Sequence, residues 1–348
     1  MNLFITQPGR IRREDNTLRL ELVDLPEDLP PGDEDDPLIE DRAVTKKLAL
    51  PVETIDAIWL FHESTLNTRL LTFLSQKDIP LHVFNYYGHH VGTYLPHAHQ
   101  LSGELVIRQG ASYQDKDRRM AICRKLLGAT FRNLLSNLNY YRRRGADVDE
   151  AVREIEALRD QLPTAGSSEE LMGLEGMARR TYYRGWSEWL PEVGNKFTRK
   201  YHPPDNPINA LISFLNSLLY TEMVSQMHRT ALYPGISYLH APQSKRFSLA
   251  LDLVEPFKPV LVDRLLFRLW DKKEISAKDF HAHSNGVLLI DAARKKIVQE
   301  WDHLMKTTVL YPRLNRHVSY RQMLRLDCYK LVKHLLEDAP YEPHRINY

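Results

Sequence analysis

The chain has 348 residues, 43% apolar and 26% charged, with a formal net charge of +2, which suits about two domains with a substantial core. No apolar run approaches the roughly 18 residues that would indicate a membrane span. The two cysteines, Cys123 and Cys328, exclude a disulfide framework and a thiolate zinc cluster and favour a reducing, cytoplasmic setting.

In chain order, residues 1–9 lack the basic flank and long apolar stretch of a signal peptide. Residues 3–5 read as a short strand, followed by a turn at Pro8-Gly9. Leu18, Leu20 and Leu22 alternate with Arg19 and Glu21, the period of a strand with one wet face. Residues 24–41 hold nine acids and no Lys or Arg; with five interspersed Pro and Gly they read as a solvated loop. Strand patterns return at 47–50, 58–61, 79–84 and 91–95, with Gly88 in a turn and helical spacing over 66–74. Residues 1–95 therefore predict a β-rich domain with one helix, and 96–103 a linker. His97 and His99 form a His-x-His pair, as do His281 and His283. Their loop-like surroundings favour surface histidines over metal ligands.

Beyond the linker, over 104–340, the pattern is mainly helical. Residues 115–144 form an amphipathic helix with Ile122, Leu126, Leu127, Leu134, Leu135 and Leu138 inward. Arg118, Arg119, Arg124, Lys125, Arg132 and Arg142, Arg143 and Arg144 make its other face basic, either a solvated surface or a phosphate-contacting one. A helix over 147–163 ends at Pro163. Ser167 and Glu170 have capping-box spacing, and Gly173 and Gly176 flank Glu175. Interior glycines destabilise a helix, so a close neighbouring helix or a ligand is expected there. Asn206 and Pro207 supply a cap and a first-turn proline, ahead of the stripe Leu211, Phe214, Leu215, Leu218 and Leu219. From 248 to 270 apolar residues fall on almost every side, as in a buried helix. Pro256 and Pro259 predict a kink. Asp252 and Glu255 lie inside this stretch, and His240 just before it. Buried carboxylates need partners, so an ion-pair core and a metal site both remain open. Strands at 275–280 and 287–290 and helices at 292–305 and 320–336 follow, and 341–348 reads as a frayed tail. No phosphate-binding glycine loop and no nucleophile elbow is present.

Three pieces occur together in one order: Gly173-Leu174-Glu175-Gly176 with Tyr182-Tyr183; Pro203-Pro204-Asp205-Asn206-Pro207 through Tyr220; and Gly235, Leu239-His240, then 248–259 with Val262-Asp263-Arg264. With Lys278-Asp279-Phe280, Gly286-Val287, Ser319-Tyr320-Arg321 and the N-terminal strands, nearly the whole chain resembles the CRISPR-associated integrase family of spacer acquisition, the "Cas one" family. The resemblance implies an α+β protein: a β-rich N-terminal domain for dimer and partner contacts, then a larger helical catalytic domain. It implies Glu175, His240 and Glu255 as catalytic metal ligands, Asp252 as a supporting acid, Lys258 as a basic residue near DNA, and Mn²⁺ or Mg²⁺ as cofactor. The implied reaction joins 3′-OH ends of short DNA to the CRISPR repeat by transesterification. Implied partners are double-stranded and branched DNA, repeat and leader DNA, a second copy of the chain, and a small second CRISPR-associated protein whose dimer bridges two dimers; no membrane is implied. Alternatives are a branched-DNA nuclease, or a DNA-binding scaffold whose acids are ion-paired to Arg246, Arg264 or Arg268. Departures from the family pattern are His62, where a glycine is expected, Thr130, where a lysine often stands one residue before the aromatic or aliphatic position, and the length of the acidic loop.

Overall fold

The computed structural model describes residues 1–23, 42–85, 87–96, 102–190, 197–200, 203–243, 246–283, 286–311 and 314–345. The acidic loop 24–41 and the His97/His99 pair lie outside the described residues. The chain divides into two compact units, Met1–His99 with Ile290–Asp302, and Gln100–Leu289 with His303–Tyr348. A piece of the stretch expected to form one helical domain over 104–340 thus belongs to the first unit.

The first unit carries strands β1 (Asn2–Ile5), β2 (Gly9–Glu14), β3 (Thr17–Val23), β4 (Val44–Pro51), β5 (Ala57–Leu60) and β6 (Ser64–Leu66), then helix α1 (Thr68–Gln76) and strands β7 (Leu81–Phe84) and β8 (His90–Tyr94). They form two four-stranded sheets, ordered β4-β3-β2-β6 and β1-β5-β7-β8. The alternation in β3 places Leu18 and Leu20 in a core with Ile5, Ile11, Ile58, Leu60, Phe73 and Leu81. Strand β2 was not expected, because Ile11 stands alone among Arg10, Arg12 and Arg13. Backbone pairing to β3 on one side and β6 on the other holds it despite its polar side chains. Gly9 opens that strand rather than serving only as a turn: a Cβ there would lie 2.4 Å from Glu21 O.

The second unit contains α2 (Gly103–Gln114), α3 (Lys116–Arg142), α4 (Asp149–Arg159), α5 (Ser168–Gly185), α6 (Pro207–His228), α7 (Ser248–Val254) and α8 (Arg264–Asp271). The hairpin β9 (Phe280–His283)–β10 (Gly286–Leu289) follows. Helix α9 (Asp291–Lys306) is shared between the two units, and the hairpin β11 (Thr308–Tyr311)–β12 (Arg316–Ser319) and helix α10 (Tyr320–Glu337) complete the chain. Side-chain caps open several helices: Asp115 on α3, Ser167 on α5, Asn206 on α6 and Ser319 on α10. The strand expected at 275–280 begins only at Phe280, because Ser276 and Asp279 cap a short 3-10 turn. Among the described residues no helix is long and apolar enough to cross a membrane. A β-rich first unit and a mainly helical second make this an α+β protein.

The C-terminal segment is not frayed through residue 345. Tyr341 is 2% exposed, Glu342 pairs with Lys125 at 2.7 Å, and the His344 ring stacks on Phe257 with centroids 5.1 Å apart and planes 6° from parallel. Burial, with the charge of Lys330, pushes the His344 imidazole down to about 3, so it stacks as a neutral ring.

Candidate active site

The stretch predicted as one kinked helix is broken into four pieces. Helix α7 passes into a 3-10 turn at Glu255–Phe257, a π-helical turn at Lys258–Asp263, and then α8. Pro256 and Pro259 supply no N–H to an α ladder, and π turns of this kind concentrate at functional sites. Two carbonyls at the break find side-chain donors. Asn133 Nδ2 donates to Pro256 O at 2.7 Å and Asn137 Nδ2 to Pro259 O at 2.9 Å. These asparagines lie one turn apart on α3, so both face the break. Asn133 also donates to His344 O at 3.3 Å, tying the C-terminal segment to the same turn. Asn137 accepts from Arg264 Nε at 2.8 Å. Neither asparagine was singled out from the sequence, although each is a polar residue on the apolar face of an amphipathic helix.

Glu255 sits at this break, 3% exposed. Its Oε1 accepts from Lys258 Nζ at 2.5 Å and its Oε2 from Arg179 Nη2 at 3.1 Å. Burial opposes ionisation, but the charges of Lys258, Arg179 and His240 together hold the carboxyl down at about 2. Arg179 also donates through Nε to Glu175 Oε1 at 3.0 Å, and its Nη1 lies 3.8 Å from Asp263 Oδ2. Glu175 and Arg179 are four apart on α5, which places both on one face. Among the described residues no Cβ added at Gly173 or Gly176 would meet an atom within 4 Å. The glycines beside Glu175 therefore do not mark a close helix contact; that face of α5 is open.

His240 is positioned by Asp252, which is wholly buried. Asp252 Oδ2 accepts from the backbone N–H of Tyr238 at 2.6 Å and Leu239 at 3.0 Å, and Oδ1 from His240 N at 2.9 Å and His240 Nδ1 at 2.8 Å. The carboxylate thus fixes the loop and the ring together and leaves Nε2 as the nitrogen it does not engage. Burial lowers the imidazole's proton affinity, yet the hydrogen bond and charge of Asp252, with the charge of Glu255, raise it above its usual value. Arg119 buttresses the same loop through Tyr238 O at 2.7 Å.

The structure links Glu175 and Glu255 through Arg179 and places His240 within electrostatic reach of Glu255. Among the described residues, however, no three His, Cys, Asp or Glu side chains are grouped to hold a metal ion. The arginine bridging both acids is Arg179, not one of the three proposed from sequence. Arg246 donates to Ala241 O, Arg264 to Asn137, and Arg268 pairs with Glu274. Arg179 was readable only as a residue one turn from Glu175. On α3, Arg124 donates to Leu162 O and Ala165 O, while Arg118 and Lys125 pair with Asp338 and Glu342. With Arg119, these members of the basic face have structural work. Thr130 is wholly buried and donates to Leu126 O.

The CRISPR associated protein Cas1 family matches residues 3–303. A CRISPR-associated endonuclease Cas1 of Moorella thermoacetica is 41% identical over 346 residues, 99% of this chain and 98% of that protein. A solved Cas1 protein from Thermotoga maritima superposes with a TM-score of 0.81 at 33% identity, covering 99% of this chain and all of that one. A casposase solved bound to an integration product shares the fold, with a TM-score of 0.78, 19% identity and coverage of 100% and 96%. The length of the sequence match and the agreement of the folds place this chain in the CRISPR-associated Cas1 family.

Proposed function

We propose that this chain is a divalent-metal-dependent DNA endonuclease and integrase of CRISPR adaptation. The observation that carries the proposal is the imidazole of His240, oriented through Nδ1 by the buried carboxylate of Asp252 and within electrostatic reach of Glu255 at the proline break, with Glu175 joined to Glu255 through Arg179. A ring N–H held by a carboxylate is the usual outer support of a metal-bound histidine. Two carboxylates and one imidazole suit Mn²⁺ or Mg²⁺, with the imidazole favouring Mn²⁺. By donor type Glu175, His240 and Glu255 fit such an ion and would hold it. When bound, it would neutralise charge on the phosphate and favour an ionised attacking oxygen.

The protein's own groups do the rest. Asp252 keeps His240 in one tautomer. Asn133 and Asn137 hold the turn that presents Glu255. Lys258, 25% exposed at its side chain, places a positive charge where a DNA phosphate could approach. In the joining reaction a 3′-OH oxygen bonds to a phosphorus at the repeat, the existing P–O3′ bond breaks, and the proton passes to the departing 3′ oxygen. One phosphodiester replaces another, so no external energy source is needed. Substrates would be double-stranded and branched DNA and the repeat with its leader. The assembly would be a homodimer, two of which are bridged by a dimer of a small second CRISPR-associated protein.

The test is joining of short 3′-OH duplexes to a repeat-containing plasmid by wild type and by Glu175→Ala, His240→Ala and Glu255→Ala. Each variant is expected to lose joining and keep DNA binding; metal-independent joining retained by all three overturns the proposal. Comparing joining with hydrolysis on the same plasmid separates an integrase from a branched-DNA nuclease. The pairing of both acids by Arg179 favours a second reading, a DNA-binding scaffold without metal chemistry. Mn²⁺ calorimetry decides between them, because a scaffold shows no carboxylate-dependent heat.

A further inference from the structure

Arg179 occupies the position where the acids demand a cation. Its side chain is 8% exposed, and those of Glu175, Glu255 and Asp263 are 21%, 4% and 2% exposed. An arginine cannot shed its proton to accommodate a rival charge. In a dry setting, two cations on the same carboxylates repel strongly. A divalent ion held by Glu175 and Glu255 therefore competes for those carboxylates with Arg179, and on Glu255 also with Lys258, whose Nζ already shares it.

The three contacts of Arg179 are unequal. Those to Glu175 and Glu255, at 3.0 and 3.1 Å, are hydrogen bonds. The 3.8 Å approach to Asp263 Oδ2 is too long to be one, and that oxygen is buried without any hydrogen-bond partner among the described residues. A buried carboxylate oxygen without a donor is an unfilled acceptor. Burial, only partly offset by the charge of Arg179 and a hydrogen bond from Tyr182, pushes Asp263 up to about 6. The guanidinium thus has a second, incompletely occupied berth adjoining its present one. Glu175, at 21% the most exposed of the three carboxylates, can turn toward solvent once released.

We propose that Arg179 is the resident counter-cation of this site, and that it yields Glu175 and Glu255 to a divalent ion by moving onto Asp263. The proposal rests on the reading that Glu175, His240 and Glu255 bind a metal. Arg179 keeps the acids compensated, and the turn folded, before metal arrives. The same pairing weakens metal affinity, because every binding event must break it.

The experiment is calorimetric titration of the full chain with MnCl₂, and thermal unfolding with and without Mn²⁺, for wild type, Arg179→Gln, Asp263→Asn and Glu255→Gln. Arg179→Gln is expected to melt lower without metal, to bind Mn²⁺ about tenfold more tightly, and to gain more in Tm from Mn²⁺ than wild type does. Asp263→Asn is expected to bind Mn²⁺ several-fold more weakly, since the displaced guanidinium loses its ionised acceptor. Equal or weaker Mn²⁺ binding by Arg179→Gln overturns the proposal: Arg179 would then merely position the ligands. If Arg179→Gln does not fold, Arg179→Lys serves instead, because an ammonium cannot span two carboxylates as a planar fork does; tighter binding is again expected, and its absence is equally fatal. The metal reading fails separately. If wild type and Glu255→Gln bind Mn²⁺ alike, or neither binds, both proposals fall. If only wild type binds and Arg179→Gln is no tighter, this one alone falls.

Discussion

Replacing Asp252 probes the support of His240 most directly. Asp252 accepts three backbone N–H groups and one imidazole N–H, at 2.6 to 3.0 Å. Tyr238 and Leu239 are 0% and 2% exposed, so water cannot replace the lost acceptor for their amides. Each buried donor left unsatisfied costs about 1–3 kcal/mol. Asp252→Ala, which orphans two fully buried amides and loosens a third, is expected to destabilise by about 3–6 kcal/mol, a large share of a typical domain's stability. Asp252→Asn keeps the shape but turns an NH₂ group toward existing donors, with an expected loss of about 2–4 kcal/mol. Urea unfolding at constant m measures both. A second readout comes from His240, whose proton affinity is raised above the ordinary value of 6.5 in the fold. The native state therefore holds that proton more tightly than the unfolded chain does. Its contribution to stability is complete below pH 6.5 and is lost as pH rises through the raised value. Asp252→Asn should remove this alkaline decline and lower the His240 titration seen by NMR. A loss under about 1 kcal/mol, together with an unchanged His240 titration, would refute the positioning role.

At the acid end the sign reverses for Glu255. Its folded value of about 2 lies below the ordinary 4.5, so its stabilising contribution is present above pH 4.5 and is lost as pH falls toward 2. Glu255→Gln should flatten that limb in unfolding titrations; an undiminished acid limb would show that other carboxylates carry it. The docked C-terminal segment should matter to the Glu255 turn. His344→Ala removes a ring stack worth about 1 kcal/mol and is expected to speed amide exchange at Glu255, Phe257 and Lys258 and, if the proposed joining activity holds, to slow joining several-fold at unchanged DNA affinity. His344→Phe should restore both; failure of this rescue would mean that the stack on Phe257 is incidental.

Much of the local structure was legible because burial writes a period into a sequence. The alternation at 18–22 became β3, the stripe through Leu211 and Leu218 became the core face of α6, and Asn206 caps that helix as its position suggested. Strand β2 was invisible for the complementary reason: it is held by main-chain pairing, which leaves no apolar period. The docking of 341–345 leaves no pattern in the sequence, because a short segment with one buried tyrosine and one stacked histidine resembles any polar tail.

By itself the sequence determined the proline break at which Glu255 sits and the family that these pieces share in one order. Tertiary structure alone decided who pairs with whom. Arg179 rather than Arg246, Arg264 or Arg268 bridges the two acids. Asn133 and Asn137, more than a hundred residues earlier in the chain, donate to the carbonyls at the break. Asp252 faces inward onto the His240 loop as an orienting acceptor. Periodicity records which side of an element leaves water, but hydrogen bonds and ion pairs form between whichever groups packing brings within about 3 Å, and a linear pattern does not carry that distance.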